Sequence, residues 1–142
     1  MAVVLGVVLL DQLTKTWAVR RLADGPVSVW SDAIVFQLGR NTGGAFSLFP
    51  SFTPILAVLA VVVAVFLARA VRRTADVWMV VGLSLVLGGA LGNLVDRVFR
   101  DPGFLRGAVV DFISVGAWPT FNVADSAITI GAVLIIWRGW RS

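Results

Sequence analysis

The chain contains no cysteine, histidine, tyrosine or glutamate, and Lys15 is the one lysine among its 12 basic residues. Each absence removes a chemistry. Without cysteine there is no disulfide, thiol nucleophile or thiolate metal site. Without histidine there is no Ser-His-Asp triad and no imidazole-ligated metal. Proton transfer is left to eight acidic residues, all Asp, and to Lys15. An enzyme made from this chain must work with aspartate, or with Lys15 beside a serine or threonine. Neither a metal nor an organic cofactor is expected.

Charge is scarce as well. Only 14% of the 142 residues are charged and 58% are hydrophobic, whereas soluble domains carry roughly 25% charged residues. A soluble core this apolar could not cover itself with polar surface at this size. Residues 1–142 are therefore expected to form a single integral-membrane domain. The net charge of +4 sits on arginines scattered beside apolar runs, as at a membrane edge. A nucleic-acid surface would need basic residues clustered on a polar face, and none is present.

The apolar runs predict four spanning helices, at about residues 2–20, 50–71, 77–97 and 122–138. Val77 to Val95 carries no charge and has the length a bilayer demands, about 20 residues. Its Gly88-Gly89-Ala90-Leu91-Gly92 stretch suits close helix packing. The first and last runs are too short unless charge is taken inside. Extending the first from Ala2 to Val19 gives roughly 27 Å and brings in Asp11 and Lys15. Starting the last at Asn122, a natural helix cap, places Asp125 just inside the bilayer edge. The fold class is thus membrane all-α with a small β element, a four-transmembrane-helix bundle.

Two segments differ in texture. Val27 to Trp30 and Ile34 to Leu38 are short and β-prone, with turn residues around them, so residues 24–48 are expected to form a β-cradle between helices 1 and 2. Residues 99–121 read as a loop between helices 3 and 4, with turn signals at Asp101-Pro102-Gly103 and Trp118-Pro119. Trp17, Trp30, Trp118 and Trp137 fall near span ends, as interfacial aromatics do. Four helices put both connections on one side. Arg72-Arg73 and the Arg138/Arg141 tail lie in short segments where the positive-inside bias is strongest. We therefore expect both termini in the cytoplasm, the cradle and loop outside, and an uncleaved first helix with a short N-terminal flank.

Asp111, in Val109-Val110-Asp111-Phe112-Ile113, and Asp125, in Phe121-Asn122-Val123-Ala124-Asp125, lie in apolar surroundings. Carboxylates at membrane depth are costly and mark functional sites. Two close together cannot both ionise easily, which is the arrangement of an aspartic protease.

Five segments, in order, resemble the lipoprotein signal peptidase (signal peptidase II) family. They are Asp11-Gln12-Leu13-Thr14-Lys15, Arg40-Asn41-Thr42-Gly43-Gly44-Ala45-Phe46-Ser47, Gly92-Asn93-Leu94-Val95-Asp96-Arg97, Val109 to Ile113, and Phe121 to Ser126. The resemblance implies an aspartic endopeptidase of the bacterial inner membrane. Such enzymes remove the signal peptide from prolipoproteins, cutting before a cysteine that already carries a diacylglyceryl group. Asp111 and Asp125 match the family's catalytic pair. Asn41, Gly43, Asn93, Asp96, Arg97 and Asn122 match its supporting or substrate-contacting positions, and Asp11 and Lys15 its first-helix motif. Implied partners are lipid-modified prolipoproteins and membrane phospholipid, with the enzyme a monomer. The stretch around Asp101 to Leu105 is longer than in familiar members and is expected to alter the loop over the site rather than the chemistry.

Competing readings stay open at this stage. Lys15 with Ser47 or Ser126 would make a Ser-Lys protease. Asp11, Asp111 and Asp125 as relay carboxylates would make a small proton- or ion-coupled transporter. Individual residues have plainer roles too. Asp11 and Lys15, four apart, suit an intrahelical ion pair, Asp96-Arg97 a helix-end pair, and Asn41 with Gly43-Gly44 a tight turn. Asp125 suits the helix N-terminal dipole, and Asn93 and Asn122 suit helix-end backbone groups. Asp24, Asp32, Asp76 and Asp101 read as solvated.

Overall fold

The computed structural model describes residues 1–30, 33–42 and 53–141. Among these, four helices are long and apolar enough to cross a membrane: α1 (Ala2–Arg21), α2 (Thr53–Arg73), α3 (Val77–Phe99) and α4 (Val123–Trp140). Large apolar side chains along them face outward, among them Leu9, Val62, Phe66 and Ile136, each at least 60% exposed. Such a surface is stable against lipid and not against water, so the chain is a multi-pass membrane protein.

Helix α3 is central, because its glycines let two neighbours approach. A Cβ on Gly89 would lie 2.4 Å from the Ala124 carbonyl of α4, and one on Gly92 would lie 2.7 Å from an Asp11 carboxylate oxygen of α1. Small residues at this spacing allow the backbone contacts that hold helices together where lipid removes the hydrophobic drive. Val4, Ala64, Leu67 and Leu87 join α1, α2 and α3 in an apolar core.

The β element is larger than expected. Strands β1 (Val27–Trp30), β2 (Ile34–Asn41) and β3 (Val109–Val115) form an antiparallel sheet in the order β1-β2-β3. Strand β3 lies within the segment read from the sequence as loop. Val109 to Val115 is rich in β-branched residues, and its pairing with β2, Gly39 opposite Asp111 and Asn41 opposite Val109, supplies the backbone partners. Alternation along β3 does the rest. Val110 and Phe112 pack with Ala18 and Leu22 at the end of α1, which leaves Asp111 on the other face. The sheet is thereby fastened across one end of the bundle.

The opposite end is closed differently. Asp76 caps α3, accepting from the Met79 amide at 2.9 Å, and pairs with Arg138 of α4 at 2.6 Å. Trp78 and Trp137 pack edge to face at 6.1 Å, with Arg141 over the Trp137 ring. Asp76, read as solvated, keeps 30% of its side chain exposed and in addition caps α3 and pairs with Arg138. Its partner is 62 residues away in sequence, beyond the reach of any local pattern.

Candidate active site

Asn122 organises the site. It is the N-cap of α4, and its side-chain oxygen accepts from the Asp125 amide at 2.9 Å while the Asp125 carboxylate accepts from the Asn122 amide at 3.3 Å. This reciprocal capping box turns the Asp125 carboxylate back toward the helix start. The other end of the same asparagine, Nδ2, donates to Asp111 at 2.7 Å and lies 3.4 Å from the Val110 carbonyl. One fully buried asparagine thus links both carboxylates, Asp111 on a strand through its side-chain Nδ2 and Asp125 on a helix through its backbone N–H.

The two aspartates sit in unlike surroundings. Asp111 is 7% exposed, and burial pushes its carboxyl up to about 6, with the nearby charge of Asp125 adding to the rise. The Asn122 and Asn41 side chains, hydrogen-bonded to it, act in the opposite direction. Asp125 is half-buried, and its two oxygens accept from Asn93 Nδ2 at 2.9 Å and from the Asn122 amide. It lines a 420 Å³ cleft with Trp118, Phe121, Ser126, Thr129 and Ile130.

Behind them lies a dry ionic cluster. Lys15 Nζ reaches Asp11 at 2.8 Å, Asp96 at 2.9 Å and Asn93 Oδ1 at 2.9 Å. An ammonium has three protons, and all three are used. Asp11 also accepts from the Ala124 amide, and Asp96 from the Val110 amide and Arg100. The cluster therefore ties α1 to the first turn of α4 and α3 to strand β3. Buried charges survive only when paired and hydrogen-bonded, and these are.

Arg97 is placed differently from its neighbour. The expected Asp96–Arg97 pair is absent among the described residues; Asp96 takes Lys15 and, one turn on, Arg100. Arg97 instead acts electrostatically on Asp111, Asp96 and Asp125. Its Nη1 is buried with no hydrogen-bond partner among the described residues. With Asn93 it lines a 270 Å³ groove whose other walls include Leu59, Ala60, Val63 and Ile128.

The residues singled out from the sequence thus converge at one end of the bundle: Asp11, Lys15, Asn41, Asn93, Asp96, Arg97, Asp111, Asn122 and Asp125. Gly43 and Ser47 lie outside the described residues. The intrahelical Asp11–Lys15 pair is present, widened by Asp96 and Asn93 into a three-acceptor site. A Ser-Lys reading fits poorly, because every Lys15 proton is engaged and Ser126 Oγ donates to the Asn122 carbonyl. Two contributors escaped sequence reasoning. Gln12 Nε2 is shared by Asp11, the Gly92 carbonyl and Asp96, and Arg100 closes the Asp96 shell. The i,i+4 spacing of Asp96 and Arg100 was the available signal.

Fold and site together define a multi-pass membrane protein with a polar site at one end of a four-helix bundle, built around two linked carboxyl groups. Residues 3–141 match the family model described as Signal peptidase (SPase) II. The chain belongs to the signal peptidase II family. It is 50% identical over 131 residues to a lipoprotein signal peptidase of Mycolicibacterium smegmatis, covering 92% of this chain and 56% of that one. Identity is 47% over 137 residues with the lipoprotein signal peptidase of Mycobacterium tuberculosis, covering 96% of this chain and 68% of that one. A bacterial membrane enzyme solved by the in meso method at 2.3 Å superposes with a TM-score of 0.87 at 29% identity, over 99% of this chain and 86% of the other. A second such structure, at 1.9 Å, gives 0.84 at 30% identity, over 96% and 89%.

Proposed function

We propose that this protein is an intramembrane aspartic endopeptidase that removes signal peptides from diacylglyceryl-modified prolipoproteins, cutting on the N-terminal side of the lipidated cysteine. The observation that carries the mechanism is Asn122 bonded at once to Asp111 and Asp125, with Asp111 buried and its carboxyl pushed up to about 6. A pair held this way shares one proton. One carboxyl group takes a proton from water as the water oxygen attacks the scissile carbonyl carbon. The other gives its proton to the carbonyl oxygen. The diol then collapses, the C–N bond breaks, and the amine leaves with a proton returned by the dyad.

The substrate class follows from the relatives' names and from the depth of the site. A diacylglyceryl cysteine is tethered at the interface by its acyl chains, which brings the preceding peptide bond to the helix ends where the dyad sits and lowers the entropy of alignment. The site then lies near the outer face of the bacterial cytoplasmic membrane, both termini are cytoplasmic, and the enzyme is a monomer among phospholipids. The arginines at the opposite end, Arg72, Arg73, Arg138 and Arg141, support that orientation.

The test is cleavage of a diacylglyceryl-modified prolipoprotein in detergent by parent, Asp111→Asn and Asp125→Asn. Both variants are expected to fold and to lose turnover. Near-parental cleavage by either one overturns the dyad.

A further inference from the structure

We propose that Lys15 is a positioning residue for Asp125, acting through Asn93, and that Asp125, held this way on the cleft, is the base toward water while the sealed Asp111 is the acid. The proposal rests on the aspartic reading above and assigns the roles within it.

An asparagine amide can be turned end for end, and only its partners decide which end faces where. Asn93 Oδ1 accepts from Lys15 Nζ at 2.9 Å and from Asn122 Nδ2 at 3.2 Å. Turned over, its NH₂ would face an ammonium and another amide donor. The cation therefore holds Asn93 with Nδ2 toward Asp125 Oδ1, where it donates at 2.9 Å. The Asn122 amide occupies the second oxygen. An N–H donor on each oxygen fixes the Asp125 carboxylate where it lines the cleft with Trp118, Phe121 and Ser126, the half-buried member of the pair. Lys15 itself is locked by Asp11 and Asp96, so the chain from cation to amide to carboxylate has little freedom.

The surrounding charges act on both carboxyl groups, Arg97 more on Asp111 than on Asp125 and Lys15 on Asp111 as well, so the division rests on burial and on the cleft. Arg97 acts on Asp125 electrostatically from α3, Asp111 does so from β3, and Lys15 stands behind Asn93 from α1. Helix α2 carries charge among its described residues only at Arg69, Arg72 and Arg73, near its far end. Asp111, sealed on the sheet side, is left with the shared proton. Burial raising its carboxyl is in keeping with that role.

In the reaction, Asp125 accepts a proton from water as the C–O bond forms, and Asp111 gives its proton to the carbonyl oxygen. On collapse, Asp111 regains a proton from the diol, the C–N bond breaks, and the proton on Asp125 passes to the leaving amine. Both carboxyl groups end as they began.

The test compares Asn93→Ala with a charge-balanced pair, Lys15→Met with Asp96→Asn, and with the triple variant. Each is assayed on a diacylglyceryl-modified prolipoprotein peptide across pH. For Asn93→Ala we expect kcat to fall about 100-fold, as for a misplaced reacting group, with KM within about twofold. The acidic limb of kcat/KM is expected to move about one pH unit toward neutrality while the alkaline limb stays. The charged pair is expected to do the same, and the triple variant to lose nothing further, because both changes break one path. Lys15→Met with Asp11→Asn serves if the first pair does not fold. Multiplicative losses in the triple variant, or movement of the alkaline limb alone, overturn the assignment. If Asp111→Asn or Asp125→Asn cleaves at near-parental rate, the aspartic reading itself falls; if both are inactive and the losses multiply, only the positioning role does.

Discussion

Each end of the bundle is stitched by aspartate and a basic residue at nearly the same distance, yet the two stitches differ in kind. Lys15, Asp11 and Asp96 are 0% exposed and meet at 2.8 and 2.9 Å. Asp76 and Arg138 meet at 2.6 Å with 30% of each side chain exposed. Distance does not separate them; water does. A pair that solvent can reach contributes little, because water replaces a lost partner. A dry pair stands or falls together, since removing one ion strands the other. The protein has placed its dry cluster under the candidate dyad and its wet one at the far end.

The largest effect expected from breaking this contrast is that of Lys15→Met alone. It leaves Asp11 and Asp96 buried without their cation and is expected to cost about 3–5 kcal/mol, read as unfolding in detergent. A cost below that of Asp76→Ala would show that the cluster is not dry.

Asp111→Asn reverses the sign. The Asp111 carboxyl titrates at about 6 in the folded protein against an ordinary value of 3.8, so the folded state holds that proton more tightly. Stability is lost as pH rises from about 4 to about 6 and stays lost above it. Asp111→Asn is therefore expected to stabilise by about 1–3 kcal/mol above pH 6, to change little below about pH 4, and to abolish cleavage. Melting curves at both pH values check this; a variant less stable at pH 7 would contradict it.

Gly92→Ala tests the approach of α1 to α3. The added methyl would sit 2.7 Å from the Asp11 carboxylate, and overpacking of this kind costs about 1–3 kcal/mol. Because it displaces Asp11 from the Ala124 amide, turnover is expected to fall along with the melting temperature.

Asp76→Ala sharpens the comparison from the other end. Its carboxyl is held below the ordinary range by Arg138 and the Met79 amide, so its contribution is present above that range and is lost as pH falls. A small drop in melting temperature at pH 7, shrinking in acid, with cleavage unchanged, is the expected result. Loss of turnover would mean that the far end communicates with the site.

Much of the site was legible because its residues are out of place by composition. Asp11, Lys15, Asp96, Asp111 and Asp125 are charges in apolar runs, and Asn122 three residues before Asp125 is a cap by spacing alone. Less visible was whatever depends on a distant partner. Asp96 looked paired with adjacent Arg97, but consecutive residues on a helix do not face each other, and Arg100 with Lys15 takes that place. Strand β3 was hidden because Asp101-Pro102-Gly103 and Trp118-Pro119 mark turns at both ends of the segment, while the strand partner that orders its middle lies about 70 residues earlier.

Composition and periodicity alone determined that this chain enters a membrane, that four of its runs are long and apolar enough to cross, and that any acid–base chemistry is left to aspartate and one lysine. These follow from local quantities: run length against bilayer thickness, and the side chains simply present or missing. Tertiary structure alone decided which aspartate is sealed and which opens on a cleft, that one asparagine holds both, and that the single lysine spends its three protons inward. Those outcomes depend on α1, α3, α4 and β3 meeting at one end, where burial turns the same residue types into groups of different chemistry.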